Sequence, residues 1–378
     1  MNAAIYLDHN ATTPVLPEVV DAMLPYLREH FGNPSSSHAY GRRAHAAVDA
    51  ARSQVAELLG CDDGEVVFTS GGTESNNLAI RGVVEARRAR RHVVTTVVEH
   101  SAVAQPCDWL GRHGCQVTRV GVTGAGVTQL DEARAAISAQ TVLVSVMHSN
   151  NETGVLQPVR EIAALARRHG ATVHTDAAQS IGKVAVDVRQ LDVDLLSIAG
   201  HKLYAPKGVG ALYVRRGTLM VPFVLGAGHE NGRRPGTENV ASIVGLGAAC
   251  AIASRDQDAV GMRLAGLRDD LWHRLAAAVP GLELNGDPTR RLPNTLNVRF
   301  PGVSGNAILA GAPDVAASTG SACHAGGESA SSVIVAMGVS PQDALGSVRL
   351  SLGRGTTAHD VACAAGALVQ SWRDTHAV

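Results

Sequence analysis

The chain has 378 residues, 45% of them hydrophobic, which is ample for a sizeable buried core and suggests two domains. Its 33 Lys and Arg against 34 Asp and Glu leave a net charge of −1. That balance gives no electrostatic reason to expect a nucleic acid or an anionic membrane as a direct partner, and no apolar run approaches the roughly 20 residues a membrane helix needs.

The N-terminus, Met-Asn-Ala-Ala-Ile-Tyr-Leu-Asp-His-Asn, has neither the basic region nor the apolar stretch of a secretory signal. Cys61, Cys107, Cys115, Cys250, Cys323 and Cys363 are scattered with no C-x-x-C pair. Reduced thiols, a cytoplasmic location and no metal site are therefore expected.

Short β-branched runs at 66–68, 92–96, 141–146, 171–175, 195–198 and 211–214 predict buried strands. Segments 74–91, 102–114 and 158–169 carry helical apolar spacing between them. Such alternation predicts an α/β unit with a mostly parallel sheet covered by helices on both faces. After about residue 240 the pattern turns helix-rich, with an Ala-rich stretch through 278. Weaker strands follow near 295–300, 313–317 and 347–351, then a closing helix at 357–373. The expected division is a large domain at 16–255 and a smaller α+β domain formed by 256–378 with residues 1–15.

Ligands of open parallel sheets sit at the carboxyl ends of the strands, and four segments fall there. Thr69-Ser70-Gly71-Gly72-Thr73-Glu74 leads from a strand into a helix, where backbone amides and the helix N-terminus suit a phosphate on Gly72 and Thr73. Asp176 closes a strand and suits a protonated ring nitrogen, which strengthens a ring as an electron sink. Lys202 ends the next strand, where its amine can hold an aldehyde, and His201 beside it reaches the same phosphate. His100 ends a further strand and is placed to stack on a flat ring and relay protons. Taken singly, each has an ordinary reading: a helix cap, a capping Asp, a solvated Lys, a structural His. Phosphate cup, stacking His, acid and amine together describe pyridoxal 5′-phosphate. Cys323, within Gly-Ser-Ala-Cys-His-Ala-Gly-Gly at 320–327, is then a thiol in a permissive loop of about 318–330.

The chain resembles the cysteine desulfurases, pyridoxal-phosphate enzymes of fold type I. The likeness rests on Tyr-Leu-Asp-His-Asn-Ala-Thr-Thr-Pro (6–14), Phe-Gly-Asn-Pro-Ser-Ser (31–36) and Ser-Gly-Gly-Thr-Glu-Ser-Asn-Asn (70–77). It continues through His-Ser-Asn-Asn-Glu-Thr-Gly (148–154), Asp-Ala-Ala-Gln (176–179) and Gly-His-Lys-Leu-Tyr-Ala-Pro-Lys-Gly (200–208). Arg-Pro-Gly-Thr-Glu-Asn (234–239), Gly-Ser-Ala-Cys (320–323) and Val-Arg-Leu-Ser-Leu-Gly-Arg (348–354) complete it.

The resemblance implies a seven-stranded, mostly parallel sheet in the large domain and a homodimer. It implies that Lys202 holds the cofactor, Asp176 pairs its ring nitrogen, Gln179 bonds its ring oxygen and His100 stacks on it. Gly72, Thr73 and His201 would bind the phosphate, with Thr237 reaching in from the other subunit. Asn151 and Arg349 would grip the substrate carboxylate, with Arg354 a less favoured candidate. The implied reaction converts L-cysteine to L-alanine and leaves the sulfur on Cys323 as a persulfide. From there it would pass to a protein acceptor in iron–sulfur cluster, thio-cofactor, tRNA or DNA thiolation chemistry.

Two departures point toward a selenocysteine lyase acting on L-selenocysteine. Ala199 stands where many relatives carry a phosphate-binding Ser, and Cys323 is followed by His324. A silent sulfur-transfer scaffold is a remoter alternative, against which the joint presence of Lys202, Asp176 and Cys323 argues.

Overall fold

The computed structural model describes residues 4–87, 89–320 and 329–376. Cys323 and His324 lie outside them. The chain opens with β1 (Ile5–Tyr6) and then builds the main sheet from β2 (Val66–Thr69), β3 (His92–Thr96), β4 (Gln116–Val120), β5 (Thr141–Ser145), β6 (Thr172–Asp176), β7 (Leu195–Ala199) and β8 (Gly210–Val214). Their spatial order is β2-β8-β7-β6-β5-β3-β4. Only β8 runs antiparallel to its neighbours β2 and β7. The architecture is thus α/β, with seven strands, mostly parallel, between layers of helix.

Side chains alternate across this sheet as the two-residue strand period requires. Val66, Phe68, Leu196, Ile198, Ala211 and Tyr213 pack into one apolar layer. Val67, Leu195, Leu212 and Val214 pack into the layer on the opposite face. Burial on both faces explains why the central strands read as continuous apolar runs rather than alternating ones. Edge strand β4 is half exposed and carries Gln116, Thr118 and Arg119, so no such run announces it.

One helix, Val240–Ala278, spans 39 residues. Its first half, including Leu246 and Ala253, joins the core of the main sheet. Leu264, Leu271 and Leu275 of its second half join a separate core with Phe300, Val348 and Leu350. The expected boundary after residue 255 therefore falls inside a continuous helix. That second core is capped by β9 (Glu283–Leu284), β10 (Thr295–Arg299) and β12 (Ser347–Ser351), ordered β12-β10-β9 and antiparallel. β11 (Val315–Ala316) pairs in parallel with β1, and Leu7, fully buried, enters the same core. Residues 8–13 then run from this small sheet to the carboxyl edge of the large one, where Thr13 N–H donates to the His201 carbonyl at 3.0 Å.

At that edge the backbone leaves no spare room. Gly210 opens β8 directly against the turn into the helix Gly72–Ala86; a Cβ there would lie 2.5 Å from the Ile198 oxygen and 2.7 Å from Gly71 Cα. Gly71 has φ = 147°, which a side chain rarely tolerates, so the turn cannot easily yield. Gly210→Ala should cost about 1–3 kcal/mol of stability through overpacking, read as a lower denaturant midpoint. An unchanged midpoint would show that the turn has slack.

Candidate active site

A cavity of about 780 Å³ lies at the carboxyl edge of the main sheet. Gly72, Thr73, His100, Asn151, Asp176, Gln179, His201, Lys202 and Arg349 all line it. Ser318 and Gly320 line it on one side of the undescribed 321–328, and Ser329 and Ala330 on the other.

Asp176 ends β6, only 6% exposed. One carboxylate oxygen accepts from the Ala178 N–H at 2.9 Å and the other from Asn76 Nδ2 at 2.7 Å. The Asn76 Oδ1 beside it is buried with no partner among the described residues. The carboxylate has lone pairs beyond those two bonds and the amide oxygen beside it lacks a donor, a need that a protonated ring nitrogen would meet. Glu99 adds no second charge, because burial, against hydrogen bonds from the Met147 N–H and Thr96 and with a smaller push from Asp176, drives its carboxyl up to about 8.

The first turn of Gly72–Ala86 forms the end of the cavity at which the sequence predicts a phosphate. Glu74, the acid in that turn, is drawn aside by Arg234 at 2.8 Å and by the Ser70 N–H at 2.8 Å, so it does not repel an anion. Ala199 offers no hydroxyl, and a Cβ on residue 72 would sit 3.2 Å from the Ala199 methyl. His201 Nδ1 lies 3.2 Å from Thr12 Oγ1. Burial, with Lys202, Lys207 and other cations, pushes His201 down to about 4, so near pH 7 it is a neutral hydrogen-bonding group.

Lys202 follows β7 in a short 3₁₀ turn and donates to the Asn10 carbonyl at 2.5 Å and the Ala11 carbonyl at 2.7 Å. Burial first, then Arg349, pushes its amine down to about 8 against the opposing pull of Asp8 and Asp176. His100 caps the helix Ser101–Arg112; its Nδ1 accepts the Ala102 N–H at 3.1 Å, which leaves the proton of the neutral ring on Nε2. Burial lowers His100 as well, with Lys202 lowering and Asp176 raising it.

Arg349 on β12 donates to Asp8 Oδ1 at 2.7 Å and to the Asn151 carbonyl at 3.2 Å, while its Nε is buried without a partner among the described residues. Arg354 does not line the cavity; it pairs with Asp256 and lies over the Tyr204 ring. Thr237 is exposed and absent from the lining of its own chain's cavity. Gln179 is held at both ends: Nε2 donates to the Asn10 carbonyl at 2.9 Å, and Oε1 accepts from Lys183 Nζ at 2.9 Å. Asn10, Asn76 and Lys183 carry this arrangement, yet the sequence reading gave them no role. Asn10 and Asn76 stand inside motifs whose other residues drew attention, and nothing local marks Lys183.

A family model described as aminotransferase class-V matches residues 5–363. The chain belongs to that family. It is 47% identical over 357 residues to a cysteine desulfurase of Trichormus azollae, covering 94% of this chain and 89% of that one. Among solved structures, a NifS-like protein superposes with a TM-score of 0.91 at 34% identity, covering 99% of this chain and all of the other. A structure of SspA in complex with cysteine gives 0.82 at 34% identity over 92% of this chain and 98% of that one. Within the class-V family the chain is a cysteine desulfurase.

In cofactor-free protein, amine-directed acylation of Lys202 should rise with pH around a midpoint near 8, followed by peptide mass analysis. Arg349→Gln removes a cation that disfavours the charged amine, so the midpoint should climb toward 10.5. A wild-type midpoint already near 10.5 would contradict the electrostatics described.

Proposed function

We propose that this desulfurase binds pyridoxal 5′-phosphate in the cavity and uses it to move sulfur from L-cysteine to Cys323, releasing L-alanine. The observation that carries the proposal is the half-buried Lys202, its amine pushed down to about 8, sharing one cavity with Asp176 and the unpartnered Asn76 Oδ1. Relatives named cysteine desulfurase, and the cysteine complex of SspA, support the substrate.

When bound, the cofactor supplies an aldehyde that holds the substrate amine and a ring that takes up the electron pair left at Cα. Asp176 and Asn76 accept from its ring nitrogen, Gly72, Thr73 and His201 hold its phosphate, and His100 covers its face. Arg349 and Asn151 orient the substrate carboxylate, the buried Arg349 Nε being a donor still to be satisfied. Lys202, neutral in a large fraction near pH 8, takes the Cα proton. His100, with its proton on Nε2, serves as acid–base partner for the substrate thiol. Cys323 thiolate attacks the substrate sulfur: the carbon–sulfur bond breaks, a sulfur–sulfur bond forms, a proton equivalent to the one the thiol gave up goes to Cβ, and Lys202 returns its proton to Cα. Cysteine plus the enzyme thiol thus becomes alanine plus a persulfide, with no outside oxidant.

The proposal includes a homodimer. Thr237 is exposed and away from its own cavity, which suits a contact with the phosphate end of the partner's site. The sulfur then passes to a protein acceptor.

Supplied with pyridoxal 5′-phosphate, L-cysteine and a reductant, the enzyme should form alanine and sulfide in equal amounts. Lys202→Ala should lose about 10²–10⁴-fold in rate from the missing proton transfer alone. A keto acid in place of alanine would instead assign transamination.

A further inference from the structure

Four residues past Gln179, Lys183 turns its amine inward and away from solvent. Nζ donates to Gln179 Oε1 at 2.9 Å and to Asn10 Oδ1 at 3.1 Å. Both acceptors belong to buried residues, Gln179 at 6% and Asn10 at 1% exposure. Among the described residues no carboxylate lies within ion-pair distance of this amine. Burial, followed by Lys202 and Arg349, holds it well below the ordinary lysine range. A lysine kept here without a counter-charge is costly as a packing element, and it does not line the cavity.

Its geometry does one specific thing. Nζ gives one N–H to each amide oxygen, two donors it has whether the amine is charged or neutral, so both amides turn their oxygens toward Lys183. For Gln179 this fixes Nε2 on the opposite side, where it donates to the Asn10 carbonyl at 2.9 Å. The same carbonyl accepts from Lys202 Nζ at 2.5 Å. The Gln179 N–H end therefore lies beside the reactive amine, one shared acceptor away. For Asn10, Nδ2 is turned to the Asn151 carbonyl at 3.2 Å and Thr295 Oγ1 at 2.9 Å, away from the ligand space.

We propose that Lys183 is a positioning residue that locks the Gln179 amide so that an N–H, rather than a carbonyl, faces the ring oxygen next to the aldehyde carbon held by Lys202. The inference rests on the cofactor reading above. With the amide free to flip, an amide oxygen would face the negatively charged ring oxygen and repel it. A donor there stabilises that negative charge, so the proton on the nitrogen held by Lys202 leaves at lower pH. Losing the donor retains it to higher pH.

The test is a pH titration of the visible absorbance band of the holoenzyme. It compares wild type with Lys183→Met, Gln179→Ala and the double variant. Lys183→Met should raise the midpoint by about one pH unit, a tenfold change in proton affinity, as expected for a lost hydrogen bond to a charged oxygen. Gln179→Ala should raise it comparably, and the double variant no further, because the two residues act as one unit. An unmoved midpoint in Lys183→Met overturns the inference. So does an additive shift in the double variant, since Lys183 would then act through its own charge. Loss of the band in Lys183→Met but not in Gln179→Ala also overturns it, because Lys183 would then serve binding instead. Absence of any visible band in wild type supplied with the cofactor would sink the cofactor reading itself, and this inference with it.

Discussion

The hydrogen bonds of Asn10 are the constraint on which the rest of the site depends. Its carbonyl accepts from both Lys202 and Gln179, and its Oδ1 accepts from Lys183 and Asn294. Nδ2 donates to Thr295 and to the Asn151 carbonyl, and the main-chain N–H donates to Ser351 Oγ. One residue 1% exposed thus ties the N-terminal segment, the main sheet and the small antiparallel sheet to one another. Its position is in turn held by Leu7 in the second core and by the pairing of β1 with β11. The cavity is complete only when chain segments more than 280 residues apart meet at this point. Hydrogen-bonded polar groups of this kind are costly to half-satisfy, which favours one arrangement over its near alternatives.

Charge in the cavity is arranged on the same edge. Burial first, and then neighbouring cations, depresses the amines: Arg349 acts on Lys202, and Lys202 and Arg349 act on Lys183. Asp8 takes one arm of Arg349, and Asp176 stands as the buried carboxylate beside Asn76. Glu99, pushed up to about 8, stays protonated near neutrality. An anionic ligand with one donor nitrogen complements this set, and an amine kept near neutrality is the form that reacts with an aldehyde.

Much of this was legible in the sequence because strand–helix alternation puts particular residues at strand ends. Asp176, Lys202 and His100 fall where the β-branched runs stop, and the structure brings them to one cavity with Gly72, Thr73, His201, Asn151 and Arg349. The six strands read from apolar runs are those buried on both faces, whereas β4, exposed at the edge, gave no such run. Helix Gly72–Ala86 stops short of the expected 91: the arginines that follow it turn outward, Arg87 and Arg90 donating to the Gly170 carbonyl. The helix across residue 255 has apolar residues for two different cores in succession, and periodicity cannot tell which core each half enters. Asn10, Asn76 and Lys183 were not legible as site residues because their partners lie as much as 341 residues away. The arms of Arg349 are committed to Asp8 and Asn151, a contact that only the fold creates.

Sulfur transfer to Cys323 is the claim that separates this enzyme from other chemistry the same cavity supports. The most direct measurement is the mass of the Cys323-containing peptide after one anaerobic turnover of L-cysteine without reductant, alongside the alanine formed. The account predicts one added sulfur atom on Cys323 for each alanine released. Stoichiometric alanine with an unmodified Cys323 would contradict it.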